Sequence, residues 1–312
     1  MSQPLDDLSP RDLRVRNGRG IRRLPRPADV AGRLQQAAIL DRASRALTGA
    51  VRRAAPPGPT ADALHGVWLG QPLHPAVNGV PVGCWASAAV LDFVPGAQRA
   101  SRALIALGLA SAMPVAAAGL ADWSVLHREQ QRVGLAHASA GAGAGTLFAA
   151  SLAARLTGRQ RAGRLLALGG LAALTAGTYL GRFLAFPLGA GAGHAEDIAH
   201  LAPLGWHELC RIYDLPDGRP VRRQLGYLSL FVLRQGSDVM VLADHCAHLG
   251  GPLHQGTLTG DADGELCITC PWHGSTFRVL DGSVAHGPAT ARQPGFDARI
   301  ADGGMVEVRP RT

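Results

Sequence analysis

Residues 244–256 read DHCAHLGGPLHQG, and residues 261–282 read DADGELCITCPWHGSTFRVLDG. Each stretch carries one cysteine and one histidine in a short loop, Cys246-x-His248 and Cys270-x-x-His273, with 21 residues between the two pairs. Gly250, Gly251 and Pro252 follow the first pair, and Pro271 and Gly274 surround the second. These residues make tight turns, not the helix that presents the histidines of a zinc finger. Two thiolates and two imidazoles can hold a tetrahedral zinc ion as well as other metal centres, so spacing alone leaves the metal open. Three of the chain's five cysteines crowd into this region, which points to metal and not to a disulfide framework. Around the loops, runs at 228–234, 239–243, 265–269, 276–279 and 305–308 are short, apolar and split by Gly, Asp and Pro. Residues 205–312 therefore read as an all-β domain, behind a link at 194–204.

Upstream the pattern changes. Four stretches, 72–91, 103–121, 133–154 and 165–181, contain no Arg, Asp or Glu. Each is about the length that crosses roughly 30 Å of hydrocarbon as a helix, so residues 61–193 are expected to form a transmembrane four-helix bundle. Small residues recur four apart at Gly141/Gly145 and Gly169/Ala173/Gly177/Gly181, which suits close helix approach or reflects an Ala/Gly-rich composition. Residues 1–60 form an Arg-rich tail without a secretory signal, and Arg22-Arg23 lacks the apolar core of a twin-arginine signal. Within the tail Val30, Leu34, Leu40, Leu47 and Val51 alternate with arginines as in an amphipathic helix, on a membrane surface or on the protein itself. The net charge of +8 divides unevenly: residues 1–200 hold 21 Arg against 11 acids, residues 201–312 hold 10 against 12, and Lys is absent. Membrane lipid is thus the expected partner of the basic segment, and nucleic acid is not.

With the four ligand positions, CPWHG at 270–274 and GPA at 287–289, the last 108 residues resemble the Rieske family. The resemblance implies a 2Fe-2S cluster with Cys246 and Cys270 on one iron and His248 and His273 on the other, and a potential in the range of roughly −150 to +300 mV. Respiratory members carry a loop disulfide whose positions here are Gly251 and Trp272, and a Tyr whose place is taken by Phe277. Ser275 stays available as a donor to cluster sulfur. The domain therefore resembles the ferredoxin-type branch. Cys267, Cys84 and Cys210 are expected to be packing thiols, and His245, His254 and His286 rim residues. The stretches LHGVWLGQPLHPAVNGVPVGCW (64–85), LDFV (91–94) and GLADW (119–123) resemble an uncharacterised family of bacterial four-helix membrane proteins.

Four antiparallel crossings put His65, His74, Asp122, His127 and His137 on the Rieske side, with His74 and His137 as candidate haem or quinone contacts. The resulting expectation is a multidomain chain: a transmembrane bundle followed by an all-β Rieske domain, in the inner membrane with the cluster on the cytoplasmic side. Its expected work is single-electron transfer between unknown donor and acceptor proteins; the rival is an iron-sulfur redox sensor acting on the bundle. A self-sufficient oxygenase is not expected, because 39 residues follow His273, too few for a two-His, one-carboxylate iron domain.

Overall fold

The computed structural model describes residues 27–195 and 197–311. The first part of the Arg-rich tail, with Arg22-Arg23, lies outside the described residues. The amphipathic segment forms two helices, α1 (Pro27–Gln36) and α2 (Asp41–Ala54), broken by a turn at Ala38–Leu40. Both pack on the protein itself. Arg132 clasps the Asp41 carboxylate at 2.7 and 2.9 Å and donates to the Gln35 carbonyl, which leaves Arg33, Arg42, Arg45 and Arg53 exposed.

After α3 (Pro59–His65), the four apolar stretches become α4 (Leu73–Val77) continued by α5 (Gly79–Leu91), then α6 (Gln98–Trp123), α7 (Arg128–Leu156) and α8 (Gln160–Ala185). Among the described residues α6 is the one helix long and apolar enough to cross a membrane; the glycines and terminal arginines of α7 and α8 lower their hydropathy.

These helices contain an internal repeat. Helices α6 and α8 are each 26 residues long and open with QRASR at 98–102 and QRAGR at 160–164, 62 residues apart. The segment of α4, α5 and the Asp92 cap corresponds to α7 at a spacing of 63, and equivalent residues meet each other. Trp85 stacks on Phe148 with centroids 4.5 Å apart and planes at 11°, Asp92 receives two bonds from Arg155 at 2.5 and 2.7 Å, and His74 faces His137 at 6.0 Å. The bundle is thus two helical hairpins related by a pseudo-twofold axis, with three layers of paired side chains along it. The helices close on this axis because glycine stands under each ring of the middle layer: a Cβ on Gly108 would come within 2.6 Å of Trp85 Cδ1, and one on Gly170 within 2.8 Å of Phe148 Cε2.

A short α9 (Ile198–Leu201) precedes the β domain. Strands β1 (His207–Arg211), β2 (Val221–Leu225), β3 (Leu228–Gln235), β4 (Asp238–Ala243), β9 (Gly295–Ala301) and β10 (Met305–Pro310) form a six-stranded antiparallel sheet in the order β1-β10-β9-β4-β3-β2. Between β4 and β9 the chain leaves it to build a smaller sheet of β5 (Thr257–Gly260), β6 (Leu266–Thr269), β7 (Thr276–Arg278) and β8 (Val284–His286). Leu230, Phe231, Val232 and Leu233 are all fully buried at the centre of the core, which also takes in Ile268 and Phe277 of the small sheet. The cysteine loops are the β4–β5 connection, which joins the two sheets, and the β6–β7 connection within the small sheet.

Candidate metal centre

The two loops are closed by the same hydrogen bonds. Gly250 N–H donates to the Cys246 carbonyl at 2.8 Å, and Gly274 N–H to the Cys270 carbonyl at 3.1 Å; both glycines lie in the left-handed region, at φ +74° and +81°. Each cysteine N–H then donates to the carbonyl five residues on, Cys246 to Gly251 at 2.9 Å and Cys270 to Ser275 at 2.8 Å. A side chain at the glycines would be strained by that backbone, and the turn turns each thiol toward the other.

The four candidate ligands form two like pairs. The Cys246 and Cys270 thiols are buried and hydrogen-bonded to one another. This contact and burial hold the Cys246 thiol well above its ordinary range, while the bond from Cys246 and main-chain N–H groups of Trp272 and His273 bring Cys270 down to about 7. The Cys246 sulfur likewise receives N–H groups of His248 and Leu249. The His248 and His273 rings stand edge to face, 5.2 Å apart. Burial, then the neighbouring His273 and other imidazoles, depress His248 to about 3; burial, then His127 and Arg52, depress His273 to about 4. Both imidazoles are therefore neutral at physiological pH, the form that binds metal.

The donor set fits a two-iron cluster. His248 Nδ1 is buried with no hydrogen-bond partner, an expensive state for an imidazole nitrogen unless a metal takes its lone pair. Among the described residues no three His, Cys, Asp or Glu side chains converge on one point, as one tetrahedral ion would require. One pair of thiols and one pair of imidazoles match two irons, each with two protein ligands. Gly251 lies against the thiols: a Cβ there would come within 2.8 Å of Cys270 Sγ and 3.1 Å of Trp272. The indole thus covers the place where a loop disulfide would run.

Other expected residues fall around this frame. Ser275 is buried and its Oγ accepts the Ala289 N–H at 3.0 Å, which leaves its own proton to donate. Phe277 is fully buried and has no donor. Cys267 is buried on β6 opposite Arg278 and takes no part in the pairs. His254 is more than a rim residue: its Nδ1 and main-chain N–H hold the buried Asp244 carboxylate at 2.7 and 2.8 Å. His286 is likewise engaged, donating to Asp62 Oδ2 at 2.9 Å while Gly287 N–H reaches Asp62 Oδ1 at 2.8 Å. His245 is exposed.

Asp62 belongs to α3, so the Rieske-like loops rest on the helical domain. His127, the N-cap of α7, is 5.4 Å from the His273 ring and 5.7 Å from Trp272. His65 bonds Asp122 at 2.8 Å, and His194 N–H caps the Ala247 carbonyl at 2.9 Å. His65, His127 and Asp122 therefore gather on the cluster side, as their places in the bundle imply. Sequence reasoning missed Asp62, His194 and Gln293. Gln293 is buried, accepts the Ala247 N–H and donates to the Ala243 and His245 carbonyls, at 2.8, 2.8 and 2.7 Å. A lone Gln in a loop gives no signal of such a clamp.

Comparison with known families agrees with this site. Residues 205–297 match the Rieske [2Fe-2S] domain, and residues 70–192 match the family described as a predicted membrane protein (DUF2231). Human apoptosis-inducing factor 3 is 26% identical over 92 residues, covering 30% of this chain and 14% of that protein. The oxygenase component of 3-ketosteroid-9-alpha-monooxygenase from Rhodococcus rhodochrous is 37% identical over 83 residues, 25% of this chain and 20% of that one. The chain thus spans a fifth or less of the length of these curated relatives. Among solved structures, the Sphingomonas yanoikuyae B1 ferredoxin is 26% identical, with a TM-score of 0.29 and coverage of 35% of this chain and 100% of that chain. The paired thiols and paired neutral imidazoles accordingly sit in a Rieske 2Fe-2S domain, carried behind a helical domain of the DUF2231 predicted-membrane-protein family.

Proposed function

We propose that the chain is a ferredoxin-like Rieske electron carrier held at a membrane by its helical domain, passing single electrons between a donor and an acceptor protein. Cys246 and Cys270 hold the inner iron, and His248 and His273 the outer one. When bound, the cluster supplies reversible one-electron oxidation and reduction, and needs no substrate pocket. The observation that carries this reading is the buried, unpartnered Nδ1 of His248 beside the ring of His273.

The chain's own residues do the rest. Main-chain N–H groups of His248, Leu249, Trp272 and His273 bond the two sulfurs and disperse their negative charge. Ser275 adds a hydroxyl donor. Trp272, half exposed beside His273, presents a flat contact to a redox partner at the edge of the centre. Solved Rieske ferredoxins include one in complex with the oxygenase of carbazole 1,9a-dioxygenase; an oxygenase or reductase protein is the partner class proposed here. The apolar α6 and the exposed arginines of α1 and α2 support anchoring at an anionic membrane face, which we assign to the cytoplasmic side. Haem or quinone in the bundle is the proposed membrane end of the relay.

The test is expression of the full chain followed by membrane fractionation, iron and sulfide assay, and reduction by a ferredoxin reductase. Two irons and two sulfides per chain in carbonate-washed membranes, reduced by one electron, are expected. Recovery of the chain in the soluble fraction would overturn the anchoring, and absence of iron the carrier role.

A further inference from the structure

Two imidazoles in the helical bundle have matching surroundings and no part in the cluster. His74 of α4 donates its Nδ1–H to the Val115 carbonyl at 2.9 Å, and His137 of α7 donates its Nδ1–H to the Gly177 carbonyl at 2.8 Å. A carbonyl only accepts, so the proton sits on Nδ1 and each Nε2 carries a lone pair. Among the described residues no hydrogen bond reaches either Nε2. One turn beyond each carbonyl stands a glycine. A Cβ on Gly119 would come within 2.6 Å of the His74 ring, and one on Gly181 within 3.0 Å of the His137 ring. Val115 and Gly177, like Gly119 and Gly181, are 62 residues apart. The repeat therefore supplies the same seat twice, carbonyl and glycine one turn apart, and brings the two rings together across its axis. Their centroids are 6.0 Å apart and their planes perpendicular.

That separation is the one a single metal atom sets. A metal–nitrogen bond of about 2 Å plus a ring radius of about 1.2 Å on each side puts two trans imidazoles roughly 6.4 Å apart. Both rings are half-buried, and with Nδ1 committed to a carbonyl each keeps the Nε2 lone pair free for a metal. Donation of the second ring nitrogen to a main-chain carbonyl is also the usual outer support of a metal-bound imidazole. The kind of metal follows from what is missing: no third His, Cys, Asp or Glu joins the pair among the described residues. A bare zinc or copper ion would find two donors where it needs four. An iron porphyrin brings four nitrogens of its own and asks the protein for two axial ligands.

We propose that His74 and His137, brought together with perpendicular rings by the internal repeat, are the axial ligands of a six-coordinate haem b in the helical domain. The chain has no Cys-x-x-Cys-His, so the macrocycle is held by its axial bonds and by packing. The site lies at the Rieske end of the bundle. His137 is ten residues beyond His127, which touches the cluster ligand His273, a rise of about 15 Å along α7; the Trp85/Phe148 and Asp92/Arg155 layers lie farther on. As a partner of the cluster, a role that rests on the electron-carrier reading above, the haem accepts one electron from the reduced cluster, ferric iron becoming ferrous and the cluster losing one electron. No proton or group transfer accompanies that exchange.

The experiment uses the full chain in detergent, as isolated and after addition of hemin, with optical, pyridine-haemochrome and EPR spectra recorded together. One haem b per chain is expected, with a low-spin ferric signal of the highly anisotropic type that perpendicular imidazole planes give. His74→Ala and His137→Ala should each lose that signal while the Rieske signal stays. His137→Met, which keeps a ligand, should retain haem with a changed spectrum, so that loss by misfolding is distinguished from loss of the bond. A wild-type chain that shows the Rieske signal but takes up no hemin overturns the proposal, as does haem retained unchanged in the double variant His74→Ala, His137→Ala. A haem signal without any Rieske signal would support the site and overturn the cluster reading instead.

Discussion

The potential of the cluster is set by single side chains next to its sulfurs. Phe277 places an apolar ring where a phenol would donate, Trp272 and Gly251 replace a disulfide, and Ser275 is the remaining side-chain donor. Fewer hydrogen bonds leave more negative charge on the sulfurs and favour the oxidised state. The midpoint is therefore expected near the low end of the Rieske range, about −150 mV. In a redox titration Phe277→Tyr should move it upward and Ser275→Ala downward. A wild-type value above roughly +200 mV would contradict this account of the donors. Gln293 supports the first loop from behind. Replacing it by Ala strands the buried Ala247 N–H and two carbonyls, at a cost of about 1–3 kcal/mol for each unsatisfied group. Faster cluster loss on mild heating is expected. The four candidate ligands stand out in the sequence because metal chemistry constrains residue type and spacing together. Gln293 does not, because its value lies in three main-chain partners distant in sequence.

At the level of elements, the bundle's stability depends on pairs that face each other across the repeat axis. Arg155 and Asp92 are nearly buried, and Arg155 also bonds Ser101 and Ser151. Removing one partner leaves an uncompensated buried charge, so Arg155→Met should destabilise the helical domain by about 3–5 kcal/mol. Thermal unfolding in detergent should show this as a lowered Tm with the Rieske signal intact. Since the two positions are equivalent, the exchange Asp92→Arg with Arg155→Asp should recover part of the loss; no recovery would argue against the twofold relation. The four helices were readable as runs without charge. The repeat was not, because equivalence is carried by place and not by chemistry: Trp matches Phe, and Asp matches Arg. The five strands found in the runs 228–234, 239–243, 265–269, 276–279 and 305–308 are the most apolar. Strands β1, β2, β5, β8 and β9 escaped because they are short or carry charges at alternate positions, as in GFDARIA of β9.

In the whole molecule the cluster loops are held against the helical domain at a few polar contacts. Asp62 binds both His286 and Gly287, and His194 caps the carbonyl of Ala247 beside the candidate ligand His248. Asp62→Ala should loosen this docking without touching the ligands. Proteolysis within 194–204 is expected to become faster while the EPR signal of the cluster is unchanged; an unchanged cleavage rate would show that Asp62 does not hold the domains together. The central claim, a two-iron cluster on Cys246, His248, Cys270 and His273, has the most direct test. EPR of the dithionite-reduced full chain, quantified against iron and sulfide, should give one Rieske-type 2Fe-2S signal per chain, abolished in Cys246→Ser and in His273→Ala. One tetrahedral zinc per chain, with neither iron nor sulfide in the wild type, would contradict it.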